Sequence, residues 1–283
     1  MKIHDTAEYF LNSFEPSIDF LRSYYEKYPD IFADYFASHC KDTDERHNES
    51  IRKYPPYFTA IKQVYENILP IIDEIANEYW KLYQISFPVD INLIIGGFGS
   101  NAYYTYRQTI PNITFALEKL SPNPDHLRVI VAHEFGHLAQ NILSDQAGID
   151  WTKIQWNSPL IGIYQEGAAT HLSRQTVLGL QPSIYYSYNE EGYDWLDFAN
   201  ENKREIKKAF GDDYLTQLPG ELFREWFSIN GGKRFGYNRL AYYLGNMFCQ
   251  YQIEKIGEKA ALVAWRNENF EEQVKQWLFK GSK

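Results

Sequence analysis

Seven consecutive residues, Val131-Ala132-His133-Glu134-Phe135-Gly136-His137, contain the pattern H-E-x-x-H. On a helix, His133 and His137 stand one turn apart and present both imidazoles from one face, where they can share a cation. Glu134 follows about 100° round the helix, close enough to reach a water at that cation without ligating it. Two neutral nitrogen donors beside a free carboxylate suit Zn²⁺, which takes nitrogen ligands tetrahedrally and keeps a position open. The expected chemistry is metal-assisted hydrolysis with Glu134 as the general base.

A helix over 124–143 is expected around this motif. Asn123 is a suitable N-cap, Pro124 falls at the first helical position, and Asp125 suits the positive end of the helix dipole. Leu127, Ile130, Val131 and Leu138 recur at helical spacing and supply a buried stripe. A second helix over 159–178 starts at another cap-and-proline pair, Ser158-Pro159. Within it Glu166 lies among Ile161, Ile163, Gly167, Ala168 and Ala169. A carboxylate in such surroundings needs a cation or a donor to offset its desolvation. Glu166 is therefore the expected third ligand, giving a His₂Glu site for one Zn²⁺ per chain. His171 is the competing ligand, about 140° round the helix from Glu166.

The motif, followed in a second helix by Glu166-Gly167-Ala168-Ala169, resembles the gluzincin metallopeptidases of the thermolysin and aminopeptidase-N type. Ser100-Asn101-Ala102-Tyr103 is similar to the thermolysin edge strand, whose Asn-Ala-aromatic segment binds substrate backbone. Tyr242-Tyr243-Leu244-Gly245 resembles a tyrosine-glycine segment in bacterial proteins described as Zn-dependent proteases without a characterised function. The resemblance implies an α+β, zincin-like fold: a small mixed sheet with an edge strand over the cleft, and mostly helical N-terminal and C-terminal regions. It also implies peptide-bond hydrolysis, with substrate backbone held at Asn101 and Ala102. One departure stands out. Thermolysin-like enzymes carry an Asp four residues after the glutamate ligand, to orient a zinc histidine; here the position is Thr170.

The oxyanion donor is expected on a helix over 238–256, ended by Gly257. Leu240, Tyr243, Leu244 and Met247 form its apolar stripe, while Tyr242 lies with Gly245, Asn246 and Cys249 on a more polar face. A phenol there can donate to the oxygen of a tetrahedral intermediate, so Tyr242 is the candidate, with Tyr243 and Tyr237 behind it.

Three kinds of element must position these groups. Residues 1–85 read as a helical N-terminal region and 86–283 as the catalytic region, with strands inside 87–118. Short helices are expected over 5–14, 16–27 and 30–39. The charged stretch 41–50 reads as a mobile loop, and a long helix from Pro55-Pro56 to about Tyr83 should be kinked at Pro70. Phe87–Ile95 and Asn112–Glu118 alternate like strands. Between them Gly96-Gly97-Phe98-Gly99 reads as a turn before an aromatic edge strand over Asn101–Tyr106, since the Lys-Ser/Thr of a phosphate-cradling loop is missing. The stretch 145–156 reads as loop, and Tyr214–Ile229 as an amphipathic helix.

Composition argues against two partner classes; a peptide or protein substrate is what the resemblance implies. The net charge of −9, without basic clusters, disfavours nucleic acid. No apolar run approaches the ~18 residues of a membrane span, and the start Met1-Lys2-Ile3-His4-Asp5 is unlike a secretory signal, so a cytoplasmic protein is expected. Two cysteines, Cys40 and Cys249, are too few for a disulfide framework and lie outside any motif that would make one a zinc ligand, as a deformylase-like site needs. His39 and Cys40 stand together as ordinary packing residues. The alternative to an enzyme is a non-catalytic zinc- and peptide-binding module on the same fold.

Overall fold

Among the residues described by the computed structural model, 1–104 and 110–280, four short strands form a mixed sheet. These are β1 (Lys2–Asp5), β2 (Asp90–Ile94), β3 (Ala102–Tyr104) and β4 (Ile113–Ala116), in spatial order β1-β2-β4-β3. β1 and β4 run parallel to β2, with Ile3 opposite Ile91 and Leu93 opposite Phe115, whereas β3 runs antiparallel to β4. Ile91, Leu93, Ile113 and Phe115 are fully buried, so the β-branched alternation in the sequence is the inner face of this sheet. The fold class is α+β, mostly helical with a small sheet. The chain divides into two compact units, Met1–Glu134 and Phe135–Lys283, with the boundary inside a continuous helix.

In the first unit, α1 (Ala7–Ser13), α2 (Ile18–Lys27), α3 (Pro29–Ser38) and α4 (Asp44–Tyr83) accompany the sheet. Phe10, Tyr24, Phe32 and Tyr54 join them through edge-to-face ring contacts near 5 Å between centroids. Two expectations are corrected here. Residues 2–5 pair as β1 before α1 starts. The charged stretch is no loop: α4 begins at Asp44, eleven residues before Pro55, because the Thr43 hydroxyl accepts from the Arg46 N–H and Asp44 and Glu45 occupy the first turn. Pro55 and Pro56 lie inside this helix on its exposed side, where water can meet the carbonyls they leave without a donor.

The second unit contains α6 (Pro159–Thr176), α7 (Ile184–Ser187), α8 (Tyr193–Glu201), α9 (Lys203–Thr216), α10 (Pro219–Trp226), α11 (Leu240–Ile256), α12 (Glu258–Leu262) and α13 (Phe270–Phe279). The single amphipathic helix expected over 214–229 is corrected to the end of α9 and all of α10. Leu218 is extended (ψ 145) ahead of Pro219, as a residue before proline must be to escape its ring. Tyr164, Phe210, Trp226, Phe248, Trp265 and Trp277 fill the core of this unit.

Helices α6 and α11 pack backbone to backbone. A Cβ on Gly167 would lie 2.0 Å from the Gly245 carbonyl oxygen, and one on Gly245 would lie 2.0 Å from the Ile163 oxygen. Only glycine at both positions lets the backbones touch.

Candidate metal centre

The helix carrying the motif is α5 (Pro124–Gln146). It starts as its sequence requires: the Asn123 side chain accepts from the Asp125 N–H at 2.9 Å, and the Asn123 carbonyl accepts from Leu127 N at 3.1 Å. The expected stripe understates its burial, since residues 129–142 are all buried. The Tyr79 hydroxyl donates to the Ala132 carbonyl at 2.7 Å, fixing the turn that carries His133. His133, Glu134 and His137 are only 2%, 8% and 5% exposed.

Glu166 comes from α6, which is N-capped by the Ser158 hydroxyl accepting from Leu160 N. One ligand atom each from His133, His137 and Glu166 lie within 4.8 Å of one another, and this group could hold a metal ion. His137 Nε2 stands 3.6 Å from Glu166 Oε2. A tetrahedral ion with bonds of ~2.0–2.1 Å sets its ligands about 3.3 Å apart, so this pair is nearly at that spacing. Two imidazoles and a carboxylate also match the donor chemistry of a borderline-soft divalent cation.

Burial pushes the Glu166 carboxyl above the ordinary carboxylate range. His137, the Arg239 guanidinium and a hydrogen bond from the Tyr242 phenol all pull it back. The structure therefore brings Tyr242 to the carboxylate of the group. Tyr243 points elsewhere: its hydroxyl donates to Asn200 Oδ1 at 2.9 Å and its ring belongs to the core. The Tyr237 ring stacks on Phe198, 4.5 Å between centroids.

The competing residues are engaged otherwise. His171 Nε2 is 2.8 Å from Glu258 Oε1, and its Nδ1 is 3.0 Å from Gln250 Nε2. Burial lowers the pKa of His171, and Glu258 raises it. Neither Cys40 nor Cys249 joins the three-residue group. The His39 ring stacks on Tyr103 at 3.6 Å, and its Nδ1 is 3.1 Å from Ser100 Oγ. Burial lowers its pKa to about 4.

The glycine loop cradles no external anion. Glu118, 4% exposed, accepts from Gly96 N at 2.8 Å and Phe98 N at 3.1 Å. The Tyr35 hydroxyl accepts from Gly97 N and Gly99 N. The chain's own side chains thus occupy four successive loop N–H groups. Beyond the loop β3 is an edge strand of the sheet, over Ala102–Tyr104; residues 105 and 106 of the expected strand lie outside the described residues. Asn101 accepts from Ala116 N through its carbonyl. The register then turns the main-chain groups of Ala102 away from β4. The Ala102 N–H is taken by the Asn101 side chain at 2.9 Å, leaving the carbonyl as the outward acceptor.

Sequence reasoning missed Arg239 and Glu118. Arg239 stands three residues before Tyr242, a spacing that shares a helix face and was the available signal; nothing local marks Glu118 as the partner of Gly96. Thr170 is fully buried, and its backbone carbonyl accepts from the Ser173 hydroxyl at 2.9 Å. Among the described residues, no helix is long and apolar enough to cross a membrane. No family model, curated protein or solved structure matches the chain.

Proposed function

We propose that this chain is a zinc-dependent peptidase of the gluzincin type, with a zincin-like fold, that hydrolyses peptide bonds. The observation that supports this reading most is the convergence of His133, His137 and Glu166, with Glu134 next to His133 on the same buried helix. Those three residues would hold the ion. A bound Zn²⁺ supplies Lewis acidity and a water whose pKa is lowered towards ~7.

Glu134 takes the proton from the attacking water and hands it to the leaving amine. Its burial, at 8% exposure, keeps competing water from that proton. The Tyr242 phenol turns its single proton from Glu166 to the substrate and donates to the carbonyl oxygen as negative charge develops there. The edge strand accepts an extended peptide at Asn101 and Ala102, with the Ala102 carbonyl bonding a peptide N–H.

The test pairs metal analysis with a peptide-cleavage screen. Purified protein should carry one Zn²⁺ per chain, and a His133→Ala, His137→Ala variant should carry none. Glu134→Gln should retain zinc and lose cleavage, because an amide is no general base. Full zinc occupancy in the double variant, or wild-type cleavage by Glu134→Gln, would sink the proposal. Zinc binding without turnover of any peptide would favour the non-catalytic module.

A further inference from the structure

Four non-glycine residues among those described have positive φ: Gln84, Phe98, Tyr188 and Arg239. Gln84 and Tyr188 close the C-terminal ends of α4 and α7, where a left-handed residue is common, and Phe98 lies in the glycine loop. Arg239 is different. It is the N-cap of α11 at φ 55 and ψ 28, although N-caps are normally extended and are usually Ser, Thr, Asp or Asn. Capping gives no reason for a strained backbone here.

The side chain supplies one. From this backbone the guanidinium turns back and donates from Nη2 to the Tyr186 carbonyl at 2.7 Å, at the C-terminal end of α7. Its Cζ lies 5.2 Å from the Tyr242 ring centroid and 5.5 Å from that of Tyr188, both within range of a cation–π contact. Tyr242 stands one turn before Gly245, whose carbonyl oxygen would lie 2.0 Å from a Cβ on Gly167, the neighbour of Glu166. One half-buried arginine thus holds the end of α7 and two tyrosine rings, one of them beside the candidate metal group.

We propose that Arg239 is a positioning residue: by clamping the Tyr242 ring against Tyr188 and the end of α7, it holds the phenol at the metal group. The left-handed backbone is the means, since it returns the side chain over the rings. The contribution to turnover rests on the peptidase reading; the placement of the ring does not.

The two can be measured separately. A 3-fluorotyrosine at position 242 reports the ring by ¹⁹F NMR in metal-free protein, without zinc or substrate. Arg239→Gly suits the left-handed backbone and removes only the clamp, so the fold should be kept while the resonance shifts and broadens. Arg239→Lys, which keeps a charge over the rings, should bring the resonance back towards its original position. An unchanged resonance in Arg239→Gly overturns the proposal, whatever the activity. If the glycine variant did not fold, Arg239→Gln would carry the same test. In turnover, Arg239→Gly should lower kcat about as much as Tyr242→Phe, on the order of 10²-fold, with KM nearly unchanged. The double variant should be no slower than either single one, and multiplied losses would mean that Arg239 acts independently of Tyr242. If no variant and no wild-type protein cleaves any peptide, the peptidase reading fails and the NMR result still decides the clamp.

Discussion

Replacing Gly167 by alanine tests how the site is built, because this glycine follows Glu166 and lies where α6 meets α11. The added Cβ would stand 2.0 Å from the Gly245 carbonyl oxygen and 2.2 Å from its carbon, whereas real contacts of this kind are essentially never below 3.0 Å. Neither partner is a side chain that can rotate away, so the helices must part by about 1 Å. Alanine would gain about 1 kcal/mol in helix propensity, against an overpacking cost at or above the usual ~1–3 kcal/mol. The expected net loss is about 2 kcal/mol, roughly 4–8 °C in Tm for a unit the size of Phe135–Lys283. Because Glu166 and Tyr242 ride on the two helices, zinc affinity should fall by roughly 10–100-fold and turnover by about 10²-fold. Thermal unfolding, chelator competition and steady-state kinetics measure the three effects. Gly220→Ala is the control: nothing lies within 4 Å of its Cβ, so it should be neutral or slightly stabilising. A Gly167→Ala protein with wild-type Tm and zinc affinity would refute the close-approach argument.

Two further outcomes are expected. Tyr242→Phe should reduce kcat by roughly 10²-fold with little change in stability; Tyr243→Phe should leave turnover nearly unchanged and cost about 1 kcal/mol through its lost bond to Asn200. Reversed results would mean that the wrong face of α11 meets the site. Glu118 makes stability depend on pH: burial pushes its carboxyl up to about 7 from the ordinary 4.5, against the pull of the Gly96 and Phe98 N–H groups. The folded state then holds a proton that the unfolded chain releases, so this contribution is full below pH 4.5 and fades as pH rises through 7, by about 3 kcal/mol in all. Urea unfolding of wild type and Glu118→Gln at pH 4.5 and 8 isolates it, because glutamine does not titrate. Parallel pH profiles for the two proteins would contradict it.

What the sequence alone could determine here is local. The i, i+4 spacing of His133 and His137, the Asn123-Pro124 and Ser158-Pro159 starts and the Gly257 stop act within a turn or two, and the observed helices have them where expected. Local signals were also overruled by contacts between distant segments. Lys2–Asp5 is too short to read as a strand until β2, far along the chain, offers its edge. The charge-rich start of α4 reads as loop until its cap and the anchoring of Tyr54 to the Gly96 carbonyl are counted. The site divides in the same way. Helical spacing pairs the two histidines, and the apolar neighbours of Glu166 mark it as a carboxylate in need of a partner. That His137 is one of its partners depends on α5 meeting α6; that Tyr242 and Arg239 are the others depends on α6 and α11 touching through Gly167 and Gly245, and on a left-handed arginine reaching back to Tyr186. Those contacts exist only once the chain has closed on itself. Periodicity can state which face of a helix is apolar, but the packing of one backbone against another decides what that face meets.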